Sequence, residues 1–186
     1  MRSMAPVRRF AVYDPVQRCF HWLMAALIFV GLALGVWAHE LPRGELRSDV
    51  LFFHKSIGVT VLALVILRIG WRIASGAPAY AEPLGRLTRG AAHSAHMALY
   101  ALMVVMPVSG YVLSSAGGND VSWFGLFSLP SVLPKDGALS QAGREAHYLF
   151  AWAIGIVLAL HLAAVVWHTT VRRDTVLTRM WPSYRP

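Results

Sequence analysis

Eight histidines are spread through a chain of 186 residues in which 56% of residues are hydrophobic and only 14% are charged. An imidazole held in hydrocarbon is costly, so each such residue is a candidate for function. The chemistry open to it is ligation of a metal or a haem iron through a ring nitrogen, proton relay, or contact with an anion. Seven of the eight, His21, His54, His93, His96, His147, His161 and His168, lie within apolar stretches; His39 sits just past the end of one. The single cysteine, Cys19, excludes an internal disulfide framework, and no Cys-x-x-Cys-His run is present for covalent haem attachment. A haem in this chain is therefore held by coordination and packing alone.

The elements that position these rings are four apolar segments, about 19–38, 50–71, 91–116 and 146–171. Each reaches the roughly 20 residues needed to cross about 30 Å of hydrocarbon. With a mean hydropathy of +0.52, a water-soluble domain of this length would expose more apolar surface than it could cover, whereas a bilayer accommodates it. The first segment follows Arg2, Arg8 and Arg9, and its length favours a retained helix over a cleaved leader. The expected fold is an all-α, antiparallel four-helix transmembrane bundle forming a single domain over 1–186. The connection from about Gly117 to Arg144 is rich in turn residues. It predicts turns or a short interfacial helix, with Trp123 and Phe124 at headgroup level, or a lid over the outer redox centre.

The net charge of +8 comes from 17 basic residues, only two of them Lys, that flank the apolar runs. That pattern suits orientation in an anionic membrane rather than binding of nucleic acid. Twelve of the 17 lie in the N-terminal tail, the second connection with the end of the preceding helix, and the C-terminal tail. Both termini are thus expected in the cytoplasm. This topology sorts the histidines by depth. His21 starts helix 1 at the inner face; His54 and His147 lie towards the outer face; His161 follows His147 by 14 residues, about 21 Å deeper and on nearly the same stripe. The pairs His21/His161 and His54/His147 then join different helices at two levels, as bundle cofactor sites do. Two imidazoles per level fall short of the three or four ligands zinc takes but suit a low-spin haem iron; a proton relay remains the alternative.

Arg68 stands 14 residues after His54, at the inner level. With Arg72 it is a candidate partner for anionic haem propionates, and Lys55 or Arg144 are the outer counterparts. Gly31, Gly35, Ser56, Gly58 and Gly155 allow close approach of a ring or a neighbouring helix. His93 and His96, spaced i and i+3 at the inner start of helix 3, are candidates for a propionate, quinone or metal contact and the substitutes for His21. His168, two turns past His161, is a candidate for a place beside the inner haem or a quinone headgroup. His39, beside Glu40, reads as a solvated interface residue.

Several motifs together resemble the bacterial cytochrome b561 family. They are Asp14-Pro15-x-x-Arg18-x-x-His21-Trp22, His54-Lys55-Ser56-Ile57-Gly58, His93-x-x-His96, the pair His147 and His161, and Arg179-Met180-x-Pro182. The resemblance spans about residues 12 to 182. It implies a dihaem b-type cytochrome of the bacterial inner membrane, linked to the quinone pool, with axial ligands at His21, His54, His147 and His161. One branch of the family is similar to a superoxide:ubiquinone oxidoreductase; on that reading Lys135 and Arg144 supply a basic outer loop. Related cytochromes serve as membrane anchors and electron conduits of dehydrogenases or hydrogenases, which is the alternative function. The expected partners are the lipid bilayer, quinone (ubiquinone) and a small-molecule or protein electron donor. A haem-free transporter or scaffold leaves the four placed histidines unexplained.

Overall fold

The computed structural model describes residues 12–78 and 85–181. Arg2, Arg8, Arg9 and Pro182, named above, lie outside the described residues. Four long helices follow one another: α1 (Pro15–Glu40), α2 (Glu45–Ser75), α3 (Arg86–Ala116) and α4 (Gly137–Trp167). All four are long and apolar enough to cross a membrane. At 1.5 Å per residue they measure about 39 to 46 Å, longer than the hydrocarbon core. They outrun the apolar segments because hydropathy marks only the hydrocarbon, while the backbone ladder continues through the headgroup layer until a cap ends it. Asp14 caps α1 by accepting from the amides of Val16 and Gln17, with Pro15 in the first turn. Asp136 caps α4 through the amides of Ala138 and Leu139. At the other end of α4 a π-turn, His168–Arg172, closes on Arg173 in the left-handed region.

The helices form two hairpins. α1 packs on α2 and α3 packs more extensively on α4, while α2 and α3 join the hairpins. Backbones of α1 and α4 hardly approach one another, so contact across that side of the bundle falls to long side chains. Met24, Ile57, Val61, Val65 and Met103 form the buried core at mid-depth. Large apolar residues such as Trp152, Ile156 and Leu160 stay exposed on the outside of α4, as a lipid-facing surface requires.

The long connection is not helical: turns and irregular backbone flank a short strand pair. It folds as a hairpin of β1 (Val121–Trp123) and β2 (Phe127–Leu129), with Trp123 opposite Phe127. Phe124 (φ 48°) and Gly125 (φ 74°) form its turn, closed by the Leu126 amide on the Trp123 carbonyl at 2.9 Å. Two successive positive φ values suit the right-handed twist of a hairpin. Trp123 is tied to α2: its indole N–H donates to Thr60 Oγ1 at 3.0 Å. The Phe124 amide donates to Ser56 Oγ at 3.0 Å. The expected interfacial helix gives way to a hairpin because α2 offers these two hydroxyls, which satisfy backbone and indole donors that a membrane edge would leave unpaired.

Candidate cofactor sites

At the level expected to be the outer one, and so called below, the rings of His54 on α2 and His147 on α4 face each other with centroids 6.0 Å apart and planes at 84°. Each ring sits in a recess made by the neighbouring helix. His54 Nδ1 donates to the Gly31 carbonyl of α1 at 2.9 Å, and a Cβ placed on Gly35 would stand 3.0 Å from the His54 ring. His147 Nδ1 donates to the Met106 carbonyl of α3 at 3.0 Å, and a Cβ on Gly110 would stand 3.0 Å from the His147 ring. The two recesses share one design: a carbonyl and, four residues on, a glycine on the same helix face. Ser109 Oγ, 3.1 Å from His147 Nδ1, adds a further contact, and Pro107 lies in the same stretch of α3. Because a carbonyl only accepts, both Nδ1 atoms carry the proton and both Nε2 atoms are left with a free lone pair. A small, partly open cavity of about 70 Å³, walled by Leu27, Ile57, Val61, Met103 and Ile154, adjoins the two rings.

At the other level, expected to be the inner one, the arrangement is looser. His21 on α1 and His161 on α4 stand 6.5 Å apart with planes at 63°, across the side where those two backbones hardly meet. His96 on α3 lies 5.5 Å from His161, edge to face at 79°. Arg68 approaches from α2: its Nη2 is 3.4 Å from His21 Nδ1, its Nε donates to the Tyr100 hydroxyl at 3.2 Å, and its guanidinium stands 5.5 Å from the Tyr100 ring centre. A guanidinium can only donate, so His21 Nδ1 accepts here, the reverse of the two outer rings. His161 makes no hydrogen bond with the described residues.

The inner end of α1 is clamped to the C-terminal segment. Trp22 Nε1 donates to the Met180 carbonyl at 2.8 Å, Arg18 Nη1 to the Trp181 carbonyl at 2.9 Å, and the Tyr13 amide to the Arg179 carbonyl at 3.2 Å. Asp14 Oδ1 also accepts from the Trp71 indole at 3.1 Å. Its carboxyl is pushed up by burial, but bonds from Gln17, Trp71 and Val16 outweigh this and hold it below the usual aspartate value. The first and last motifs of the chain are thus one unit in space, and they fix the end of the helix that carries His21.

The remaining candidates sort differently. Lys55 is half-buried next to His54 and forms no hydrogen bond or ion pair with the described residues. Arg144 is exposed, and the Lys135 stem lies over Gly118. Arg72 is taken up by Gln17 Oε1 at 2.8 Å, at the junction of α1 and α2, and does not join the inner rings. His168 is buried and pairs with Asp174 at 2.5 Å; its ring meets Trp167 rather than His161. His93 and His39 are exposed. Gly110, Met106 and Ser109 escape a reading of histidine spacing. The signal for them is a glycine three residues after a proline inside helix 3.

A haem iron can be tested against this geometry. Two imidazoles facing each other across one metal, with metal–nitrogen bonds of about 2.0–2.1 Å, place their ring centres roughly 6.3 Å apart. The spacings of 6.0 and 6.5 Å lie on either side of that value, and the carbonyl-bonded Nδ1 atoms at the outer level are the usual support of a ligating histidine. Among the described residues no three His, Cys, Asp or Glu side chains are grouped to hold a bare metal ion. The donor sets come in twos, and they fit the group.

A four-helix membrane bundle with imidazoles paired across its interior defines a class, the b-type membrane cytochromes of electron transfer. The chain belongs to the prokaryotic cytochrome b561 family, whose sequence pattern matches residues 12–183; haem b is the cofactor that family implies. Among its relatives, cytochrome b561 homolog 2 of Escherichia coli (strain K12) is 31% identical over 169 residues, covering 90% of each chain. The probable superoxide oxidase CybB of Yersinia pestis is 26% identical, covering 93% of this chain and 97% of its own. Cytochrome b562 of Cereibacter sphaeroides is 25% identical, covering 90% and 94%.

Proposed function

We propose that this chain is a single-domain dihaem cytochrome of the bacterial inner membrane that takes electrons from superoxide at its outer face and delivers them to ubiquinone. The observation that carries the haem count is the pair of histidine spacings, 6.0 and 6.5 Å, at two levels of one bundle. His54 and His147 ligate the outer haem; His21 and His161 ligate the inner one. The superoxide donor is supported by the likeness to a probable superoxide oxidase. The basic residues gathered at one end of the bundle support cytoplasmic termini.

When bound, haem iron supplies reversible one-electron exchange. The chain supplies everything else. Gly31 and Met106 carbonyls hold the outer rings in the ligating tautomer. Arg68 offers a guanidinium at membrane depth with no carboxylate bonded to it among the described residues, which suits a propionate; turning to that anion takes it off His21 Nδ1. Lys55 is the corresponding cation outside. The apolar walls at mid-depth exclude water between the levels. Overall, two superoxide ions each lose one electron and leave as dioxygen, and one quinone gains both electrons with two protons to become quinol.

Purified protein is expected to hold two haems per chain by alkaline pyridine spectroscopy. In stopped flow, superoxide should reduce both, and added ubiquinone should reoxidise them. A colourless protein after growth with ample haem ends the cytochrome assignment. Two haems that superoxide leaves oxidised remove the proposed donor and leave a conduit for another subunit.

A further inference from the structure

The inner level contains a third imidazole that two-ligand coordination does not use. We infer that His96 is a positioning residue for the inner haem, holding the His161 ring in its ligating orientation by edge contact; this rests on the His21/His161 pairing proposed above.

His161 lacks what the outer ligands possess. His54 and His147 each donate Nδ1–H to a carbonyl of a neighbouring helix, and such a bond fixes both tautomer and ring rotation. No described residue bonds to His161. What touches its ring is His96, 5.5 Å away at 79°, inside the range and near the perpendicular geometry that aromatic pairs prefer. That spacing is short of the roughly 6.3 Å that two rings ligating one iron from opposite sides require, so His96 and His161 are not such a pair. His96 is itself anchored: its Nδ1 donates to the Ala92 carbonyl one turn back at 2.5 Å. A ring pinned to α3, the helix most extensively packed on α4, is a fixed stop against rotation of the His161 imidazole. Arg68 acts from α2 on the opposite ligand, His21. Two helices, α2 and α3, therefore hold the inner ligands by side chains, where the outer ligands are held by backbone.

The test is low-spin haem electron paramagnetic resonance and haem retention on the purified holoprotein, with the outer haem as an internal control of folding. His96→Ala should move the largest g value of the inner haem, which follows the angle between ligand planes. It should also weaken inner-haem retention by about 10–100-fold, the usual effect of losing a group that supports a metal ligand. The outer signal should not move. His96→Phe, which restores a ring without nitrogen, should return the inner signal towards that of the parent. An inner signal unchanged in His96→Ala overturns the inference. So does conversion of that haem to high spin, because His96 would then be a ligand, or recovery with His96→Gln but not with Phe, because the contact would then be a hydrogen bond. Failure of the underlying pairing has a separate mark: His21→Ala that keeps two low-spin haems.

Discussion

The two ends of this bundle present their histidines by opposite means. At the outer level His54 and His147 lie in recesses of backbone, each with a carbonyl on Nδ1 and a glycine beneath the ring. At the inner level His21 meets a guanidinium, His161 meets only another ring, and the helices that carry them hardly touch. Backbone groups cannot rotate away, so the outer site is set before any cofactor arrives. Side chains can, so the inner site is completed by what binds there. A difference in preorganisation of this kind should appear as a difference in how firmly haem is held at the two levels.

The largest effect should come from removing a ligand. His54→Ala or His147→Ala is expected to take haem content from two per chain to about one, with the inner low-spin signal intact. If His147→Ala keeps both haems, the pairing is wrong. Next come the glycines. Gly35→Ala or Gly110→Ala puts a methyl group 3.0 Å from a ligand ring, which should cost about 1–3 kcal/mol in thermal stability of the holoprotein and loosen only the outer haem. Gly155→Ala, with open space around its Cβ, is the neutral control.

Arg68→Gln should act only on the inner site. Losing a positive charge at this depth favours the ferric state, so the inner midpoint potential should fall by roughly 50 mV, about 1 kcal/mol. Equal shifts of both haems in a redox titration would erase the distinction between the two ends. Ser109→Ala should be milder, about 1 kcal/mol or less, since the Met106 carbonyl still accepts from His147. The smallest effect concerns Asp14, whose carboxyl is held below its ordinary value. A depressed folded-state value adds stability that is complete above about pH 4 and is lost as the pH falls through that folded value. Acid should therefore loosen the inner clamp slightly, and Asp14→Asn should remove that part of the acid sensitivity in melting curves.

The four helices were legible in the residues because a bilayer demands long apolar runs, and few other environments tolerate them. Their ends were less so: α4 begins at Gly137, well before its apolar run, because Asp136 rather than hydropathy starts it. The meeting of His54 with His147 and of His21 with His161 could be read from helix order and a 14-residue spacing, both local quantities. The recess under His147 could not, since Met106, Ser109 and Gly110 acquire their meaning only when α3 lies against α4. Nor could the hairpin on α2, where Ser56 and Thr60 capture a loop from more than sixty residues away.

What the sequence determined by itself was the solvent, the helix count and which histidines share a level of the bundle, because hydropathy and helical rise are additive along one chain. What only the tertiary structure decided was tautomer, recess and neighbour: which ring nitrogen is bonded to a carbonyl, which glycine lies under which ring, and that His96 rather than His93 stands against His161. Those depend on contacts of a few ångströms between helices whose rotation no single segment encodes.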